Sequence, residues 1–88
     1  MIEKDIVLKN QEGLRARAAS NFVQRTTSFV SDIYLEKEEK TYNAKSIMSV
    51  LSMGASQGCS LVIRVEGEDE KAAMDGVMDF LTKDIYHY

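Results

Sequence analysis

The chain has 88 residues, 44% of them apolar and 28% charged, with a net charge of −3. That length and balance describe one folded domain around one core and exclude disorder. The charge supplies no basic field for sequence-tolerant nucleic-acid binding, and no apolar run approaches the roughly 18 residues that a membrane span needs.

The opening stretch, MIEKDIVLK, is charged and alternating, unlike a secretory leader, so a cytoplasmic protein is expected. Ile2, Lys4, Ile6 and Leu8 share one side of a period-2 pattern. This predicts a half-buried strand whose even face points inward. At a sheet edge, such a strand would offer a route to strand exchange or pairing.

The next stretch, QEGLRARAASNF at 11–22, turns at Gly13 and enters a helix. Ala18, Ala19, Phe22 and Val23 have helical spacing within ARAASNFVQRTTSF, which predicts about three turns. The turn aims backbone N–H groups, Arg15 and Arg17 outward, an arrangement suited to phosphate or carboxylate. A solvated helix end fits the same residues.

SDIYLEKE alternates again, with Ile33 and Leu35 inward. EEK reads as a polar hairpin turn, and TYNA as the short strand after it. Ser46 stands just ahead of IMSVLSMG as a helix N-cap, and Gly54 or Gly58 ends that short helix. SLVIRVEG is a strand with Leu61, Ile63 and Val65 inward. EDE puts acidic residues where the macrodipole of the last helix favours them. Ala73, Val77, Phe80 and Leu81 form that helix's buried stripe.

The order is βαββαβα in one domain, residues 1–88. It predicts an α+β fold: an open-faced sandwich with a four-stranded, mostly antiparallel sheet and three helices on one face. Asp5, Tyr34, Arg64 and Glu66 suit the wet face. No repeat, linker or low-complexity segment interrupts it.

In the short helix, Val50 and Met53 can share the core face, while Ile47, Met48 and Leu51 make a second apolar stripe. Periodicity alone favours a helix buried on more than one side, or scattered apolar residues exposed without a role, over a docking surface. Ser46 as a plain cap is worth about 1 kcal/mol. Phosphorylated, it would carry about −1.5 to −2 charges at a helix N-terminus.

Cys59 is the only cysteine and His87 the only histidine. An intramolecular disulfide is therefore impossible, and no thiolate zinc site can be assembled. Cys59 reads as a small apolar residue beginning a strand, and His87 as a solvated tail residue where ends fray. No metal or cofactor is expected.

GLRARAA at 13–19 resembles the G-L-H-A-R-P-A active-site motif of the HPr phosphocarrier family of the sugar phosphotransferase system. NAKSIMSV at 43–50 resembles that family's regulatory-serine motif almost letter for letter, and GEDE at 67–70 is also family-like. The resemblance covers essentially the whole chain. It departs at two positions: Arg15 stands where the family has its phospho-accepting histidine, and Ala18 where it has proline. Guanidinium is protonated at any relevant pH and is a poor nucleophile, so phosphohistidine transfer is not expected.

Loss of the histidine with retention of the serine is similar to the catabolite-repression branch of the family, whose members put glutamine at that position. The resemblance implies a non-enzymatic protein phosphorylated on Ser46 by the HPr kinase/phosphorylase. It then implies a corepressor of the catabolite control protein, a lactose-repressor-family transcription factor. Partner contacts are implied at Arg15, Arg17, Ser20, Ile47, Met48 and Leu51, and the implication shifts the apolar stripe from burial to docking. A runner-up is a decoy that binds phosphotransferase-system proteins without accepting phosphate. A third reading is an acylphosphatase-like enzyme using the arginines with Asn10, Asn21 or Asn43; the two family motifs argue against it.

Overall fold

The computed structural model describes residues 1–87, so Tyr88 of the expected domain lies outside the described residues. The elements are β1 (Ile2–Val7), α1 (Ala16–Thr26), β2 (Asp32–Lys37), β3 (Lys40–Asn43), α2 (Ile47–Met53), β4 (Ser60–Glu66) and α3 (Glu70–Thr82). A 3-10 turn, Asp84–His87, follows. The order is the expected βαββαβα with that turn added.

The strands form one sheet in the order β1-β4-β2-β3, and each neighbouring pair is antiparallel. Inward residues of the central strands, Ile33, Leu35, Leu61, Ile63 and Val65, meet Ala18, Phe22, Val50, Met74, Val77 and Phe80 in one core. The other sheet face is polar. Arg64 lies there between Glu3, at 2.6 Å, and Glu36. These two carboxylates raise the Arg64 pKa, Glu36 more strongly than Glu3.

Strand β1 is an edge strand, and this loosens its expected pattern. Lys4 is exposed, Ile2 and Ile6 are half-buried, and Leu8 is fully buried just past the strand's end. An edge strand has a neighbour on one side only, so its inward residues are less well covered. The β2–β3 turn narrows to Glu38 and Glu39, both at positive φ (52° and 69°), because Lys40 already pairs with Lys37. Two consecutive positive-φ residues match the right-handed twist of the flanking strands.

Helix α1 has the expected length of about three turns. It stops at Thr26, which is buried and donates its hydroxyl to Ala44 O at 2.8 Å; Val23 is only partly buried. Gly54, at φ +62°, ends α2 in a left-handed cap, as expected. Strand β4 begins at Ser60, one residue after Cys59. Cys59 is half-buried and packs against the core.

As expected, acidic residues open α3, with Asp69 at the N-cap position and Glu70 in the first turn, although the Asp69 carboxylate bonds to the loop before β2 and not to its own helix. One expectation is corrected at the C-terminal end. The segment around His87 is not a frayed tail but an ordered turn, with Ile85 only 1% exposed. His87 itself is exposed.

Candidate functional site: two helix starts on one face

The first helix start is built on a close approach of two loops. Gly13 has φ +64°, and a Cβ there would sit 2.3 Å from Ala55 O. Next to it, the Leu14 amide donates to Ala55 O at 3.0 Å. Asn10 Nδ2 donates to Gly13 O at 2.9 Å and holds the turn from inside. These contacts dock the start of α1 on the segment that follows α2.

Arg15 occupies the N-cap position in extended conformation and makes no side-chain cap bond. Ala16 follows at φ +47°, an unusual angle for a residue with a side chain. Arg15, Arg17 and Ser20 are all exposed. Arg25 and Arg64 form ion pairs, whereas Arg15 and Arg17 form none among the described residues. The first turn of α1 thus presents two unneutralised cations at the positive end of a helix dipole.

The second helix start is Ser46. Its Oγ accepts from the Ser49 amide at 3.3 Å, a long cap bond, and its backbone is extended. The Ser49 hydroxyl in turn accepts from the Asn43 amide at 2.9 Å. Lys45, the adjacent cation, does not serve Ser46. Its Nζ donates to Phe29 O at 2.7 Å. The cap is therefore neutral and half-exposed, with no local counter-charge supplied by Lys45.

Downstream of the cap, α2 divides by face. Val50 and Met53 are buried, whereas Ile47, Met48 and Leu51 are 37%, 73% and 43% exposed. Burial on more than one side is overturned, leaving the stripe exposed: α2 packs on α1 and β3, and its opposite side is open. Because α1 and α2 are packed together, Arg17, Ser20 and the apolar stripe belong to neighbouring elements.

Two of the three asparagines of the acylphosphatase reading are used structurally. Asn10 holds its turn, and Asn43 Oδ1 accepts from the Lys45 amide at 2.9 Å. Sequence reasoning missed the C-terminal turn. Ile85 stands four residues after Leu81, extending the spacing from Val77, and that continuation of the stripe was the available signal.

The structure thus combines an open-faced sandwich, an arginine-bearing helix start and a capping serine beside an exposed apolar stripe, the arrangement of a small single-sheet α+β domain. The chain belongs to the HPr family: the profile described as "PTS HPr component phosphorylation site" matches residues 2–83. It is 40% identical over 84 residues to the HPr-like protein Crh of Halalkalibacterium halodurans, covering 96% of this chain and 100% of that protein. It is 35% identical over 85 residues to Crh of Bacillus subtilis, covering 97% and 100%. Among solved structures, HPr-C-His of Thermoanaerobacter tengcongensis superposes with a TM-score of 0.94 at 41% identity, covering 100% of this chain and 98% of that one.

Proposed function

We propose that this chain is a regulatory HPr-like protein of carbon catabolite repression, switched by phosphorylation of Ser46. The observation that carries the reading is a pairing of absence and presence. Position 15 holds an arginine instead of a nucleophile, while Ser46 caps α2 beside an exposed apolar stripe. The similarity to Crh supports the same reading.

The HPr kinase/phosphorylase docks on Ile47, Met48 and Leu51. The Ser46 hydroxyl attacks the γ-phosphorus of ATP, its proton goes to a base of the kinase, and ADP leaves. The product carries about −1.5 to −2 charges. The catabolite control protein then reads three features together: the new dianion, the stripe, and Arg15, Arg17 and Ser20. Charge supplies the switch, and the stripe supplies desolvated contact area. Arg15 accepts no phosphoryl group because a protonated guanidinium offers no lone pair for attack.

The test is incubation with the kinase and ATP, read by intact mass and site mapping. One phosphate on Ser46 is expected, with none gained from phosphoenolpyruvate and the first phosphotransferase enzyme. Ser46→Ala should stay unmodified and lose repressor binding; unchanged binding by that variant sinks the corepressor reading. The decoy alternative predicts that phosphotransferase-system proteins are retained in a pull-down whether or not Ser46 is modified.

A further inference from the structure

The sheet has one face against the helices and one without a covering layer. Outward positions of the open face carry Glu3 and Asp5 on β1, Arg64 and Glu66 on β4, and Asp32 and Glu36 on β2. Five carboxylates against one guanidinium leave −4 on this face, whereas the whole chain carries −3. Arg64 is already shared between Glu3 and Glu36. Asp5, Asp32 and Glu66 have no ion pair among the described residues. Asp32 also stands directly opposite Glu66 in the β2–β4 register, a like-charge pairing that costs a sheet stability.

Apolar groups cross this acidic face on a diagonal. Val7 lies level with Ser60, Val62 level with Asp5 and Glu36, and Tyr34 level with Arg64. Such diagonal neighbours on adjacent strands lie roughly 7–8 Å apart. Val7 and Tyr34 are 45% and 40% exposed, and Val62 is half-buried. Glu3, Asp5, Asp32 and Glu66 flank the diagonal on one side, and Glu36 on the other. A cleft of about 440 Å³ is lined by Val7 and Val62 together with Asp5, Glu36 and Glu38.

We propose that the open sheet face is a docking surface for a basic amphipathic helix of a partner protein. Charge complementarity selects the occupant. A face at −4 repels nucleic acid, anionic membrane and the same face of a second copy. No three of the described acidic, cysteine or histidine side chains converge to hold a metal ion, so the charge is spread over an extended surface. A helix is an element that covers a sheet face in layered folds. Its apolar stripe packs on Val7, Val62 and Tyr34, with Tyr34 as the aromatic anchor. Lysine or arginine stems beside that stripe run over the apolar floor and carry their charges to Asp5, Glu36 and the uncompensated Asp32–Glu66 pair. Because α2 belongs to the helix layer, this face and the Ser46 surface can be engaged together, and the proposal does not depend on modification of Ser46.

The test uses the unmodified full chain and a synthetic Leu/Lys peptide of about five helical turns, with all leucines on one face. A scrambled peptide of equal composition is the control. NMR amide shifts should move at Val7, Val62, Tyr34 and their neighbours, and stay fixed at Ile47, Met48 and Leu51. The scrambled peptide should bind at least about tenfold more weakly for want of the apolar stripe. Tyr34→Thr should raise Kd about five- to tenfold and Asp5→Lys at least about threefold, both with thermal midpoints near the parent's. Phosphorylation of Ser46 should change the affinity by less than about twofold. No binding by the parent, shifts centred on the α2 stripe, equal binding of the scrambled peptide, or an unchanged Kd in both variants overturns the proposal. Concentration-dependent shifts at the same amides without peptide would assign the face to a second copy and overturn it as well.

Discussion

Asp69, at the start of α3, accepts two hydrogen bonds from Ser31, one from its amide at 2.9 Å and one from its hydroxyl at 2.5 Å. A third comes from the Val30 amide at 3.0 Å. One carboxylate thus satisfies the loop that enters β2 and fastens it to the last helix. Ser31 is 1% exposed, so its polar atoms would otherwise lose water without compensation.

These bonds make acid stability a readout of Asp69. The Ser31 hydroxyl, then the Val30 amide, hold its carboxyl below the ordinary aspartate value of 3.8. Glu70 lies below its ordinary 4.5, chiefly through the Gly67 amide. A carboxylate depressed in the folded state adds stability that is fully present above its ordinary value. That stability is lost as pH falls through the folded value. Unfolding followed by circular dichroism should therefore show a stability loss starting below about pH 4.5. Asp69→Asn should lower the midpoint at pH 7 and flatten the acid limb; an unchanged limb would refute the assignment.

Gly13→Ala should destabilise by roughly 2–4 kcal/mol, combining left-handed strain with a forced shift of the loop at Ala55. The added Cβ would meet Ala55 O at 2.3 Å and Ser56 Cα at 2.7 Å, and both are backbone atoms without a rotamer escape. Denaturant titration measures the loss. A midpoint equal to the parent's would mean that the two loops are not rigidly docked.

The hairpin offers a gain. Glu38 and Glu39 both sit at positive φ, where residues with a side chain lose roughly 1–2 kcal/mol each. Replacing the pair by Asn-Gly, the sequence preferred in such turns, should stabilise by about 1 kcal/mol and raise Tm by about 4–8 °C. A scanning calorimetry trace without an upward shift would count against this turn geometry.

Met48→Asp should leave folding intact, because that side chain is 73% exposed. Under the proposed reading it should slow Ser46 phosphorylation at least about tenfold, since it puts a desolvated charge into the docking stripe. Kinase kinetics with matched thermal melts separate docking from folding. An unchanged rate would remove Met48 from the docking surface.

Much of the fold was legible because its signals are local. Period-2 alternation marked the inward faces of β2 and β4, and Ala73, Val77, Phe80 and Leu81 marked the buried stripe of α3. Ser46 was identified as a cap by its side chain and the apolar run after it. Local signals fell short where a distant partner decided the outcome. Acids open α3 as expected, but no local pattern marks the Asp69 carboxylate as a partner of Ser31, 38 residues away. His87 suggested a free tail, but Arg25 captured Asp84 across 59 residues.

By itself, the sequence determined the order of elements, the core faces of the central strands and the replacement of the expected histidine by Arg15. It also supplied a cappable serine beside two apolar stripes. Only the tertiary structure decided which stripe of α2 is covered, that β1 lies at an edge, and that the C-terminal turn packs into the core. Periodicity tells which side chains share a face. Whether that face meets water or another element depends on packing between segments far apart in the chain, which no local pattern encodes.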